Sequence, residues 1–467
     1  MLTSIIAAAV ILAVLIIVHE TGHFLVAKRL GVRVLRFSIG YPPKVWGIRR
    51  GETEYAIGAT PFGGYVRMLG EEVGEEPRSE ELQTYVRELG LDVVVAARKH
   101  GWSPESRQPD EQIAEIAGLL AGSRPSEPMA GSAATALQAG HAPQAAQVIG
   151  RALKPEETAV IEEVARRNSV DEAAKALAES SRGPIVDSFR KCAFPTQALW
   201  RRFVIVLAGP VSNILFAPLL LAFVFMYGVP AMLPIIGQVK PDMPAHAAGL
   251  TPGDRVLSVN GTAIDNWGQF SELIKSGNGA PIKLVVERGE GVAARKLTLV
   301  VQPKREAENT VYGDKEPTWV IGVLPSGKET TVRYGPIQAA RRGIDGTIAI
   351  TQTLVVGIAR IIEGVTPARE ALGGPIMIAQ IAGREARQGF ANVAFFAVML
   401  SLELGIINLL PVPLLDGGHL MFFACEAVRG KPLKLRHREI ALQIGLLLLV
   451  ALMAFVIFND ISRIVQG

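Results

Sequence analysis

Cysteine is almost missing from this chain. Cys192 and Cys425 are the only two in 467 residues, too few for a disulfide framework or a cysteine-rich metal site. Histidine is scarce too, at seven, so any metal must be held by a few imidazoles and carboxylates. Charge of either sign is sparse: 20% of residues are Asp, Glu, Lys or Arg, and the net charge is +4. No Lys/Arg block dominates any segment, which argues against nucleic acid as a partner. What the chain has in quantity is apolar residues, at 49%, which excludes a disordered or collagen-like protein. The charged fraction is nevertheless too high for a chain that is all membrane span. Membrane helices should therefore alternate with water-exposed domains, about three units in all by length.

Four stretches have the roughly 20 apolar residues a helix needs to cross a bilayer: 2–27, 203–227, 392–410 and 440–458. The first lacks the positive start and small-residue cleavage site of a secretory signal. It also keeps His19, Glu20 and His23 in its C-terminal half, so it reads as a retained span. Basic residues cluster after the first span (Lys28, Arg29, Arg33, Arg36), before the second (Arg201, Arg202) and between the third and fourth (Arg429, Lys431, Lys434, Arg436, Arg438). Positive residues favour the cytoplasm, which puts 28–202 and 421–439 inside and both termini outside. Residues 334–363 read as a long amphipathic helix carrying Arg341, Arg342 and Arg360. Its apolar run is too short and too charged for a span, so it should lie at the outer surface or pack against other helices.

His19-Glu20-Thr21-Gly22-His23 is an H-E-x-x-H pattern. On a helix, positions i and i+4 share a face, so both imidazoles reach one Zn²⁺ while the intervening carboxylate meets a water to be activated. Ionisable groups inside a span are costly and by default mark function. Catalytic zinc takes three protein ligands. Of the other histidines, His100, His141, His246, His419 and His437, His419 follows the third span, and Asp416 stands beside it. Both lie in the stretch from Asn408 to His419, where Pro411 and Pro413 interrupt helical hydrogen bonding. The backbone groups so freed must face protein or a wet cavity.

The H-E-x-x-H pattern in the first span, together with N-x-x-P-x-P-x-L-D-G-G near the end of the third, resembles the site-2 protease family of intramembrane zinc metalloproteases. Within it, the bacterial regulator-of-sigma-E protease group is most similar. The resemblance implies that His19, His23 and Asp416 bind zinc, that Glu20 is the general base and that Asn408 engages substrate. His419 is then assigned a supporting or structural role. Ala208-Gly209-Pro210-Val211-Ser212-Asn213 and Gly373-Gly374-Pro375-Ile376 also resemble family stretches, with close packing or a turn as the expected role. Residues 34–39 and 53–68 read as short strands with turns at Tyr41-Pro42-Pro43 and Phe62-Gly63-Gly64. The resemblance implies a membrane-associated sheet that accepts unwound substrate as an added strand, with Gly63 and Gly64 binding it. A plain structural hairpin is the alternative.

Residues 244–261, from Pro244 to Gly261, resemble the core of a PDZ domain. Gly253 and Asn260-Gly261 supply turns, and Val256 and Val259 a strand pattern. One copy is recognisable, whereas the best-known sigma-regulating members of the family carry two in tandem. The segment 71–188 departs from the family and reads as helical, with patterns at 80–97, 110–120, 133–153, 155–167 and 171–178 and starts at Asp110, Pro155-Glu156 and Asp171. The expected fold is thus a polytopic α-helical membrane protein of about four spans, with a membrane-associated β-sheet, an extracytoplasmic PDZ domain and an inserted cytoplasmic helical domain. Its expected segments are 1–70, 71–188 (the insertion), 189–228, 229–325 (PDZ), 326–390 and 391–467. The expected activity is zinc-dependent cleavage of single-span membrane proteins, of the anti-sigma-factor or remnant-signal-peptide type, at the cytoplasmic side of a bacterial inner membrane. Expected partners are those substrates, a peptide or C-terminal ligand for the PDZ domain, and the lipid bilayer, with no nucleic acid. A catalytically idle scaffold presenting the PDZ domain and a metal transporter are the alternatives. Intact His19, Glu20, His23 and Asp416 argue against the scaffold, and neither Glu20 as a base nor a PDZ domain suits a transporter.

Overall fold

The computed structural model describes residues 2–71, 82–83, 85–87, 89, 92, 155–167, 170–179, 184–289, 294–309, 315–367, 369, 373–433 and 435–466. The helical patterns expected at 110–120 and 133–153, and most of that at 80–97, lie outside them. In chain order the elements are α1 (Leu2–Arg29), β1 (Val34–Arg50), β2 (Thr53–Met68), α2 (Pro155–Arg167), α3 (Val170–Glu179), α4 (Pro184–Cys192) and α5 (Leu199–Tyr227). There follow β3 (Val229–Met232), β4 (Ile236–Val239), α6 (Pro244–Ala247), β5 (Arg255–Val259), β6 (Thr262–Ala263), α7 (Trp267–Ser276), β7 (Ile282–Arg288), β8 (Arg295–Val301), β9 (Lys304–Asn309), β10 (Lys315–Val320), β11 (Val323–Pro325) and β12 (Glu329–Val332). The chain closes with α8 (Pro336–Ile362), α9 (Pro375–Gln388), α10 (Phe390–Leu409), α11 (Asp416–Arg429) and α12 (Leu435–Gln466). It divides into two compact units, one formed by 5–215 with 403–454, the other by 1–4, 216–402 and 455–467.

Five described helices are long and apolar enough to cross a membrane. Four match the stretches expected from sequence. The fifth, Pro336–Ile362, has a mean hydropathy of 1.3, against 2.0 or more for the others. It qualifies by length and composition because Arg341, Arg342 and Asp345 crowd its first turns and Arg360 its last. Its buried residues Ala339, Gly343 and Thr347 recur every four positions, and a Cβ on Gly343 would stand 2.6 Å from the Pro218 carbonyl oxygen. Small side chains thus let this helix pack backbone to backbone on residues 218–222, while its length and apolarity, against the expectation from sequence, reach those of a span.

In the first unit, α1 has 28 residues, or about 42 Å of helix, enough to exceed a hydrocarbon core of about 30 Å. The strands after it are longer than the sequence suggested, because β1 continues past Tyr41-Pro42-Pro43 to Arg50. The chain folds back there, so residues 44–50 pair with 53–58 through the tight turn at Gly51 and Glu52, while 34–39 pair with 64–68. Residues 36–39 also pair with 54–57. The inner segment is thereby flanked on both sides, and 64–68 forms one edge of the sheet. The expected helix starts at Pro155 and Asp171 correspond to α2 and α3. Buried Val160, Ile161, Val164 and Phe189 share a core with Tyr85, Val86 and Leu89, and Tyr85 meets the Phe189 ring edge-on at 5.7 Å. Arg33 pairs with Asp92 at 2.5 Å, which fastens the described part of the insertion to the start of β1.

In the second unit a four-stranded sheet has the order β6-β5-β7-β8 and buries Val256, Val259, Leu284 and Val286 against Phe270 and Ile274 of α7. Strict alternation would place Val256 and Val259 on opposite faces; a register shift between Val256 and Ser258 puts both in the core. The turn residues behave as their types allow, with Gly253 at φ +94° and Asn260 and Gly261 at +50° and +86°. Asp254 is wholly buried. It accepts hydrogen bonds from Arg288 Nε at 2.7 Å and Nη2 at 2.8 Å, and from the Thr251 N–H at 2.9 Å. Burial pushes its carboxyl up, but the guanidinium and the N–H outweigh that and hold it below the usual aspartate range. Because an unfolded aspartate titrates near 3.9, this contribution is complete above about pH 3.9 and is lost as pH falls through the lower folded value. Pepsin cleavage within residues 236–301 is expected to rise as pH drops below about 4. In Asp254→Asn that acid dependence should flatten; an unchanged profile would show that another group sets it.

At the end of the chain Asp460 is buried and accepts the backbone N–H groups of Gly374, Ile376 and Met377 at 3.0, 3.0 and 3.2 Å. It caps α9, which has no cap from its own Gly374. The Gly373-Gly374-Pro375-Ile376 stretch is thus a docking turn, as expected from sequence. Gly374 has to be glycine because a Cβ would stand 2.4 Å from Asp460 Oδ2.

Candidate metal centre

The two histidines of α1 face the next helix in the same unit. Ile205, Gly209 and Asn213 of α5 recur every four residues and so form one stripe. They meet the four-residue stripe of His19 and His23 in reverse order. His23 Nδ1 donates to the Ile205 carbonyl at 2.8 Å. At the other end His19 Nδ1 lies 3.3 Å from Asn213 Nδ2. Between them Gly209 is so close that a Cβ would stand 2.2 Å from His23 Nε2. Gly22 makes the reciprocal approach, since its Cβ would stand 2.3 Å from the Ala208 oxygen. Ser212 Oγ donates to the Val18 carbonyl at 2.8 Å. Two glycines and a hydroxyl therefore bring the helices near enough for backbone and amide groups to hold both imidazoles.

The carboxylate arrives on a separate element. The sequence placed the Asp416 motif near the end of the third span; in the structure α10 stops at Leu409 and Asp416 is the first residue of α11. Between them the chain doubles back tightly. A Cβ on Gly417 would stand 2.1 Å from the Leu410 oxygen, and one on Gly418 2.5 Å from that of Val412. Leu414 adopts φ +87°, a left-handed conformation costly for a branched side chain and tolerated where surrounding structure enforces it. A helix N-terminus also suits an anionic side chain.

His19, His23 and Asp416 each offer one donor atom, all within 4.8 Å of one another. Asp416 Oδ2 is 3.0 Å from His19 Nε2 and 3.4 Å from His23 Nε2, and the two Nε2 atoms are 3.2 Å apart. Because His23 Nδ1 carries the proton it gives to Ile205, its Nε2 turns a lone pair inward. Asp416 Oδ2 is buried without a regular hydrogen bond among the described residues. Converging lone pairs of two imidazoles and a carboxylate fit a cation such as zinc, which takes His and Asp ligands.

All seven residues singled out in the sequence line one cavity of about 390 Å³: His19, Glu20, His23, Gly63, Gly64, Asn408 and Asp416. A Cβ on Gly64 would come within 3.2 Å of Glu20 Cγ, so the sheet edge runs directly beside that carboxylate. Gly63, at φ +118°, is tucked against the Tyr41 ring. Asn408 closes the α10 side. His419 and Arg438 also reach the cavity, yet His419 is outside the three-residue donor cluster. The sequence reading did not single out Tyr41, Tyr65 or Arg438 for the cavity. It named Gly209 and Asn213 but expected packing or a turn from their stretch; their four-residue spacing is visible in the sequence, but its alignment with His19 and His23 is set by the helix crossing.

A helix-borne H-E-x-x-H pair and a convergent aspartate in a cavity among apolar helices define the candidate site of a membrane-embedded metallopeptidase. The model of peptidase family M50 matches residues 7–452, and this chain belongs to that family. The zinc metalloprotease RasP of Geobacillus kaustophilus is 31% identical over 464 residues, covering 99% of this chain and 98% of that protein. The regulator of sigma E protease of Salmonella typhimurium is 33% identical over 460 residues, covering 97% of each. A putative zinc metalloprotease of Agrobacterium fabrum is 28% identical, over 97% of this chain and 94% of its own length.

Proposed function

We propose that this protein is a zinc-dependent intramembrane endopeptidase that cuts the membrane segments of single-span proteins, of the anti-sigma-factor or remnant-signal-peptide type. The observation that carries this reading is the meeting of His19, His23 and Asp416 in a cavity that Glu20 and the sheet edge at Gly63 and Gly64 also line. His19, His23 and Asp416 hold the zinc, and Glu20 is the base. Bound zinc supplies Lewis acidity for activating water and the scissile carbonyl. Glu20 accepts the water proton and returns it to the leaving amine. A transmembrane helix hides its carbonyls in its own hydrogen bonds, so substrate must first unwind. Residues 64–68 offer an edge onto which an extended segment can add as a strand, satisfying its backbone while exposing it to attack. Asn408, across the cavity, is placed to hydrogen-bond that segment.

The remaining assignments follow from charge placement and motif. Both termini lie outside the cytoplasm of a bacterial inner membrane, and the zinc lies toward the cytoplasmic side together with 71–188 as an inserted helical domain. Residues 229–325 form an extracytoplasmic PDZ domain that binds a peptide or C-terminus, or filters substrates by size. Membrane fragments compared between cells carrying wild type and Glu20→Gln test the activity. Uncut single-span stubs should accumulate in the variant, and identical fragment profiles would leave a scaffold as the better reading.

A further inference from the structure

We infer that Asn213 is a positioning residue for the metal centre, fixing the ring orientation and tautomer of His19. This rests on the ligand reading above and adds to it a group that is not itself a ligand. The two histidines of the cluster need the same service. Coordination through Nε2 requires the ring proton on Nδ1, and a partner for that proton sets both the tautomer and the ring plane. His23 has such a partner in the Ile205 carbonyl, at 2.8 Å. For His19 the group facing Nδ1 is the side-chain amide of Asn213, at 3.3 Å and wholly buried.

The amide is the residue type this position calls for. Its oxygen and nitrogen occupy equivalent places, related by a half-turn about the last side-chain bond. With Oδ1 toward His19 the amide accepts the Nδ1 proton, and Nε2 is left with its lone pair toward His23 and Asp416. A carbonyl of α5 serves His23 from within the helix through its second lone pair, whereas at His19 the group within reach of Nδ1 is the Asn213 side-chain amide. The neighbours hold the amide in place: Gly405 of α10 approaches so closely that a Cβ would stand 3.5 Å from Asn213 Cβ and 3.1 Å from the Pro210 oxygen. Ile205, Gly209 and Asn213 thus act as one stripe in which a carbonyl serves one imidazole, an amide the other, and a missing side chain makes room for both.

The test uses full-length protein in detergent, with zinc affinity measured by chelator competition for wild type, Asn213→Leu, Asn213→Asp and His19→Ala. Asn213→Leu keeps the branched outline and removes the acceptor; it should bind zinc roughly 10–100-fold more weakly. Asn213→Asp keeps an acceptor oxygen at the same place and should restore affinity to within about threefold of wild type, well inside that 10–100-fold loss. A packing role predicts the opposite order, since a buried carboxylate disturbs an apolar contact more than leucine does. Leucine binding zinc like wild type, or aspartate faring worse than leucine, overturns the inference. Loss of zinc by His19→Ala alongside unchanged Asn213→Leu would reject this role alone. Retention of zinc by His19→Ala would instead reject the ligand set beneath it. Should the Asn213 variants fail to fold, ¹⁵N spectra of histidine-labelled, zinc-loaded wild type decide: a protonated Nδ1 and coordinated Nε2 on His19 are expected, and coordination through Nδ1 refutes the assignment.

Discussion

Glu20→Gln should abolish cleavage and leave zinc bound. Glutamine keeps the shape of the side chain beside Gly64, where the sheet edge passes within contact distance of Glu20 Cγ, so substrate docking and local packing are preserved. What disappears is the group able to take a proton from water. General bases contribute about 10²–10⁴-fold to rate, and here the same carboxylate also serves the leaving amine, so the loss should lie at the upper end or beyond. The metal should stay, because the donor atoms that converge come from His19, His23 and Asp416 and not from Glu20. Zinc content and turnover measured on one purified sample separate the two roles. Metal lost together with activity would make Glu20 a ligand, and turnover near wild type would remove it as the base.

Asp416→Asn is expected to lower zinc affinity and proteolysis together. Two imidazoles alone leave a catalytic site one ligand short. An ionised carboxylate also offsets part of the metal charge, which eases holding a divalent ion away from water. The amide keeps the size and the tight Leu410–Gly417 turn but loses that charge. The drop in affinity should exceed the roughly 10–100-fold that follows loss of a supporting partner. His419→Ala supplies the contrast. His419 is one helical turn beyond Asp416 and reaches the cavity, but its ring is outside the donor cluster and packs against Phe422 at 6.3 Å. That variant should retain most of its zinc. The reverse pattern would transfer the third ligand from Asp416 to His419.

How much of this was legible beforehand depended on the range of the interaction involved. His19 and His23 could be paired from sequence because a single helix fixes their separation. The cavity-lining glycines could be named because turns advertise themselves in glycine and proline. The course of β1 was not legible: its strand propensity is interrupted by Tyr41-Pro42-Pro43, and only pairing of 44–50 with 53–58 shows that the strand resumes. Asp416 was recognisable as a ligand candidate, but not its place at the head of a new helix, which depends on a left-handed Leu414 that no propensity favours. The service that Ile205 and Asn213 give the histidines was hidden for a different reason. It needs the crossing of two helices whose partners are about 190 positions apart, and nothing local records where they cross.

The cap that Asp460 provides has a consequence for how this protein is made. The amides it satisfies belong to residues 83 to 86 positions earlier. At synthesis rates of about 5–20 residues per second, the start of α9 waits several seconds for its carboxylate, until Asp460 has been made. Polar backbone left without a partner near lipid is costly, so that turn must stay at the wet surface or in the hands of the insertion machinery in the meantime. A nascent chain stopped before Asp460 would carry every residue of the metal centre and still lack this late fastening. The emergence of Asp460, and not that of the active-site residues, marks the earliest moment at which α9 can be capped.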